Sequence, residues 1–187
     1  MSTITIVAIV GALVVVWAIA MYNRFVTLRN RADEAWSDVE VQMKRRYNLI
    51  PNLIETVKGY AKHEAGTFEK VTAARAGAMG ASTLAEHAKA ENMLSQTLKS
   101  LFAVSESYPE LKANQNFLQL QDELRDAEDK IQASWRFYNA NVRDFNTGLQ
   151  HFPGNVISGM FRFQPKEFFE LTEAEAAVVK EAPKVKF

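Results

Sequence analysis

The side chains best suited to chemistry in this chain are three histidines, His63, His87 and His151. His63-Glu64 opens like a zinc-protease helix, where two histidines four residues apart hold the metal and the glutamate between them acts as base. Thr67 stands where the second histidine would be, so the ligand pair is missing. A di-iron bundle needs a glutamate three residues before an inward-facing histidine. Tyr60, Leu84 and Gly148 hold those three places. No glycine-rich phosphate loop precedes a Lys-Ser/Thr pair, and no Gly-x-Ser-x-Gly elbow occurs. The chain has no cysteine, which removes disulfides, thiol catalysis and thiolate metal sites. The expectation is therefore a protein that is not an enzyme, with no catalytic residue, cofactor or metal.

Two polar clusters remain. Lys44-Arg45-Arg46 is the densest basic run, but a helix distributes three successive residues over different faces, so it reads as solvated surface. Arg136, Asn139, Asn141, Arg143, Asp144 and Asn146 surround Phe137, Tyr138 and Phe145, and read as hydrogen-bonding groups that fix helix register. Lys+Arg and Asp+Glu each number 22, so the net charge is zero and no strong field points to nucleic acid.

The elements that must position these groups follow from apolar spacing. The first charged side chain is Arg24, and Ile4 to Met21 is almost wholly aliphatic. At about 1.5 Å per residue, about 20 such residues cross the ~30 Å hydrocarbon core of a bilayer. Residues 1–23 are thus expected to be a transmembrane anchor, with Trp17 and Tyr22 suited to the interface. Arg24, Arg29 and Arg31 follow at once and none precedes, which places the N-terminus outside and the main domain in the cytoplasm.

From Phe25 a stripe recurs at steps of three and four: Phe25, Leu28, Ala32, Ala35, Val39, Met43, Tyr47, Ile50, Ile54, Val57, Ala61. It resumes at Phe68 and Val71, so one helix is expected as far as Gly77–Gly80, with a structural kink at Pro51. Thr83-Leu84-Ala85-Glu86 matches a capping box and starts a second helix. A third begins around Asn114 and ends at Pro153-Gly154. The fold expected is all-α, an anchor continuing into an elongated antiparallel bundle over 24–152, with an irregular Phe-rich segment over 153–187. That segment packs on the bundle or on a neighbouring subunit.

The second helix is too short to cover the whole first stripe, so the part beside the membrane needs another cover, and self-association is one way to supply it. The residues nominated for an oligomer or partner interface are Phe25, Leu28, Trp36 and Val39, with Phe161, Phe163, Phe168 and Phe169 from the tail. Val185 and Phe187 are candidates for C-terminal docking, since a free carboxylate beside an apolar side chain suits carboxylate-capturing domains.

Long runs in this sequence resemble the LemA family. Phe25 to Arg31, Trp36 to Ile54 (with the block Arg45-Arg46-Tyr47-Asn48-Leu49-Ile50-Pro51-Asn52) and Val57 to Tyr60 are similar to its first soluble helix. Glu123 to Ile131, Arg136-Phe137-Tyr138-Asn139 and Val142 to Asn146 are similar to a later helix, and Phe152-Pro153 and Phe168-Phe169-Glu170 to its C-terminal segment. The resemblance implies a bacterial inner-membrane protein with one N-terminal membrane helix, a helical bundle and no established enzymatic activity. One branch of that family is associated with magnetosome membrane formation. The function expected is a self-associating scaffold on the lipid bilayer that organises or shapes the membrane, a homo-oligomer that does not bind nucleic acid. The alternative is a monomeric tethered adaptor that docks a membrane protein partner such as a protease.

Overall fold

The computed structural model describes residues 2–170; Val185 and Phe187 lie outside the described residues. Among the described residues there are six helices and no strand: α1 (Thr3–Lys58), α2 (Ala65–Met79), α3 (Leu84–Ser105), α4 (Pro109–Lys112), α5 (Gln115–Gln150) and α6 (Gly154–Met160). The chain is all-α, as its periodicity requires. The described residues form two compact units, one of residues 2–39 with Ser134–Phe168, the other of Glu40–Ala133 with residues 169–170.

In the second unit the expected single helix is broken. α1 stops at Lys58, and residues 59–64 turn the chain back before α2 begins. The amides of Tyr60 and Ala61 both donate to the Val57 carbonyl, closing the helix end over the buried Ala61. α2 then runs antiparallel to α1: the Lys58 ammonium lies 5.9 Å from the Phe68 ring, and Arg75 reaches Tyr47 about three turns back along α1. Periodicity could not expose this reversal. Ala61 and Phe68 are seven residues apart, two helical turns, so the stripe keeps phase across the turn.

The capping box forms as read, with the Glu86 amide donating to the Thr83 hydroxyl and the Thr83 amide to the Glu86 carboxylate. Bonds from the amide and hydroxyl of Ser82 and from Thr83 hold the Glu86 carboxyl below its usual range. Asn114 opens α5, its side-chain carbonyl accepting from the Phe117 amide and its amide donating to the Tyr60 hydroxyl. The core between these helices is Ile50, Leu53, Val57, Val71, Leu94, Leu101, Phe117 and Ile131.

Pro51 lies inside α1 without ending it. Having no amide proton, it leaves the carbonyl of Tyr47 without its helical donor. The Arg75 Nε supplies the missing bond at 2.8 Å. A helix defect on α1 is thereby converted into a polar tie to α2.

In the first unit α1 carries a window long and apolar enough to cross a membrane, and no residue of that window is buried. The C-terminal part of α5 packs against α1 beyond it, and α6 follows within the segment expected to be irregular. α6 closes with the Phe163 amide on the Ser158 carbonyl and the Arg162 amide on that of Gly159, the Schellman pattern. Arg162 occupies its left-handed position, φ 55°, where glycine is usual.

The Arg75 bond yields a direct test. Arg75→Met is expected to destabilise the full-length chain by about 1.5–3 kcal/mol, the worth of a hydrogen bond to a charged donor. In a Pro51→Ala background, where residue 51 can donate to Tyr47, the same substitution should cost markedly less. Urea denaturation of the four proteins in mild detergent measures the coupling.

Candidate functional site

At the base of the apolar window, Phe25, Phe145, Leu149 and Ile157 form a buried cluster against which Ala18, Met21, Leu28 and Phe163 pack. Two glycines make room for the Phe25 ring. A Cβ on Gly148 would lie 3.2 Å from it, and one on Gly154 would lie 2.9 Å from it and 2.7 Å from the Gly148 carbonyl. The Tyr22 ring stands 4.8 Å from Phe161 and 5.7 Å from Phe163, while the Arg29 guanidinium lies 5.8 Å from the Phe163 centroid.

From Phe163 the chain runs along α1 and α5. The Asn146 side chain brackets one residue, accepting from the Lys166 amide at 2.9 Å and donating to its carbonyl at 2.8 Å. The Lys166 ammonium reaches Asp33 at 2.6 Å, and the Tyr138 hydroxyl donates to the Glu167 carbonyl at 3.0 Å. Within the polar cluster of α5, Asn146 therefore holds the C-terminal segment, a role beyond fixing helix register.

The nominated interface residues divide sharply. Phe25, Val39 and Phe169 are buried within the chain. Leu28, Trp36 and Phe163 are half-buried, with Trp36 edge-on to Tyr138 at 5.3 Å. Phe161 and Phe168 are exposed. The stripe beside the anchor is thus covered by α5, α6 and the segment that follows, which corrects the premise that it stood open. The physical reason is the turn at 59–64: the additional reversal brings α5 back to the anchor, whereas an out-back-out path would have carried it away.

The second unit holds a buried charged network. Arg46 and Glu91 are each 1% exposed. The Arg46 guanidinium pairs with Glu91 of α3 and Glu128 of α5 and donates to the Ser95 hydroxyl. The Tyr47 hydroxyl donates to Glu91, and burial raises its pKa against the opposing pull of the Arg46 charge. The reading of Lys44-Arg45-Arg46 as solvated surface is corrected for Arg46. Arg45 is half-buried and paired with Asp126 at 2.7 Å, while Lys44 is exposed. With Arg46 and Glu91 buried, the network ties α1 to α3 and α5.

Sequence reasoning missed this network, although a signal was present. Glu91 falls between His87 and Leu94 on the α3 stripe, at spacings of four and three. Arg46 stands three residues after Met43 and four before Ile50. A charged residue in phase with apolar neighbours on both sides marks a buried charge.

His87 is half-buried on α3, and His63 and His151 sit exposed in turns. Among the described residues no group of three or more His, Asp or Glu is placed to hold a metal ion.

A long apolar helix, exposed at one end and continuing into helix packing at the other, defines a membrane-anchored all-α protein. The LemA family model matches residues 35–187, and the chain belongs to that family. Among its relatives, Magnetosome protein MamQ 1 of Paramagnetospirillum magneticum is 26% identical over 90% of this chain and 70% of its own length. Magnetosome protein MamQ of Magnetospirillum gryphiswaldense is 25% identical with the same coverage. Protein LemA of Metamycoplasma hominis is 25% identical over 82% of this chain and 70% of its own.

Two outcomes test the network. Arg46→Ala should cost about 3–5 kcal/mol, because Glu91 is left buried without its partner. Arg46→Met with Glu91→Leu should recover most of that loss by chemical denaturation.

The half-buried His87 adds a pH dependence. Burial lowers its pKa below 6.5, against the opposing pull of Glu40 and Glu86. The unfolded chain therefore binds the proton more readily below about pH 6.5, so stability is full above that value and falls as pH drops through the folded pKa. Melting profiles from pH 7 to pH 5 should flatten in His87→Gln.

Proposed function

We propose that this protein is a membrane-anchored helical scaffold that associates with copies of itself and organises or shapes the bilayer. The observation that carries the reading is the apolar surface around the base of α1. Val156 and Met160 lie one turn apart on α6 and are exposed, and Phe152 and Phe161 flank the helix, Phe152 81% exposed. A Cβ at Gly154 would lie 3.3 Å from Met21, and Phe161 touches Tyr22, so this surface adjoins the end of the apolar window. A short helix with its apolar side free beside an anchor suits the headgroup–acyl boundary, where such a face is relieved of water. The base then meets the bilayer at two places, the anchor and α6.

Self-association rests on the remaining exposed aromatics. Phe137 and Phe168 each neighbour the Tyr138–Glu167 hydrogen bond in sequence and both are exposed. Anchoring confines copies to one plane and raises their local concentration, so a modest patch suffices for assembly. The likeness to MamQ proteins supports a structural role, since these are named for a cell structure and not for a reaction.

Light scattering on full-length protein from mild detergent, corrected for bound detergent, tests this. A discrete assembly that falls to monomer on Phe137→Ser with Phe168→Ser is the expected result. A clean monomer for the unaltered chain would remove self-association and leave the tethered adaptor.

A further inference from the structure

Beside the aromatic cluster of the first unit, α1 and α5 enclose a cleft of 710 Å³. Arg24, Thr27 and Arg31 line it from α1; Asp144, Thr147 and His151 line it from the end of α5. Each set recurs at offsets of three and seven, one face of a helix, and Leu28 and Gly148 line the cleft between them, so it is a groove with polar side chains on both walls beside an apolar strip. None of the ion pairs among the described residues uses Arg24, Arg31 or Asp144. The groove thus holds two guanidinium groups outside any direct ion pair on one wall, a carboxylate on the other and hydroxyls on both.

Its position selects the ligand. Arg24 lies three residues beyond Met21, the last residue of the aliphatic run, at the start of the headgroup layer. That layer adds about 5–8 Å to each side of the hydrocarbon core. Seven residues of helix from Arg24 to Arg31 span about 10 Å, so the groove begins at the layer and extends several ångström beyond it into water. Two arginines and one aspartate sum to one positive charge with histidine neutral.

We infer that this groove binds the headgroup of a phosphodiester lipid with one net negative charge and hydroxyls on its head. The phosphate lies against Arg24, where guanidinium donors match its oxygens. The head hydroxyls extend toward Arg31, with Asp144 and Thr147 to accept from them. A carboxylate would repel a bare phosphate at the inner end but accepts hydroxyl donors there, which accounts for its presence opposite two arginines. The inference rests on the anchor reading and goes beyond it, since an anchor alone distinguishes no lipid.

The test uses full-length protein in nanodiscs of equal phosphatidylcholine and phosphatidylglycerol, released for native mass spectrometry. One phosphatidylglycerol retained per chain, at least tenfold over phosphatidylcholine, is expected. Arg31→Gln should lower that retention about fivefold, the worth of one basic residue near a lipid surface. Arg24→Gln should do the same. Equal retention of the two lipids, or variants that retain lipid like the parent, would overturn the proposal while leaving the anchor intact. Displacement of the lipid by millimolar inorganic phosphate would also overturn it, as the mark of a free-phosphate site. A chain that fails to enter the discs would overturn the anchor reading and this inference together.

Discussion

Burying the Arg46 guanidinium constrains the second unit more than any apolar contact in it. Removing such an ion from water costs several kcal/mol even after relaxation, and the loss is recovered only when carboxylates meet it in good geometry. Glu91 on α3 and Glu128 on α5 supply those carboxylates from two neighbours of α1. Leucine and alanine stripes tolerate displacement along a helix, because one apolar contact replaces another. An arginine fork does not, since a shift of one turn leaves both Glu91 and Arg46 unpaired in a dry interior. The network therefore sets the relative height of three helices while adding little net stability.

Tyr47 links this constraint to the next one. Its hydroxyl donates to Glu91 and its backbone carbonyl, stripped of a helical donor by Pro51, accepts from Arg75. One residue of α1 is thus tied to α3 through its side chain and to α2 through its backbone. Residues 45–52 are dense in special chemistry because this is where α1 must meet its neighbours in one register. A proline in a helix interior is ordinarily a cost; here the freed carbonyl is what gives Arg75 a defined partner.

Much of this was legible in the sequence. Phe25, Ala32, Ala35, Val39, Met43, Tyr47, Ile50, Ile54, Val57 and Ala61 form the stripe by spacing, and all are buried. The capping box at Thr83 and the start of α5 near Asn114 followed from local chemistry that acts within a single turn. The reversal at 59–64 was not legible, because Gly59 alone is tolerated in a helix and the apolar phase continues across the gap. That reversal adds one pass, which returns the end of α5 to the cluster around Phe25. Arg46 was misread for a different reason: rules for charge runs assume a helix with one wet side, whereas α1 in the second unit has neighbours on three.

The turn at 59–64 also decides what the base can do. With the additional reversal, the end of α5 comes back beside the Ala18 to Leu28 stretch of α1, at the far end of the apolar window. Gly148 and Gly154 then matter for their lack of bulk, since Phe25 occupies the space their side chains would need. The returning segment is held by Asn146 and Lys166 along α1, which leaves α6 between the aromatic cluster and the apolar window. An exposed apolar face at that place is costly in water and relieved in a bilayer, where the same residues have a compatible solvent. The geometry that hides the stripe of α1 is thus the geometry that exposes α6, so covering the first surface and presenting the second are one consequence of where the chain turns.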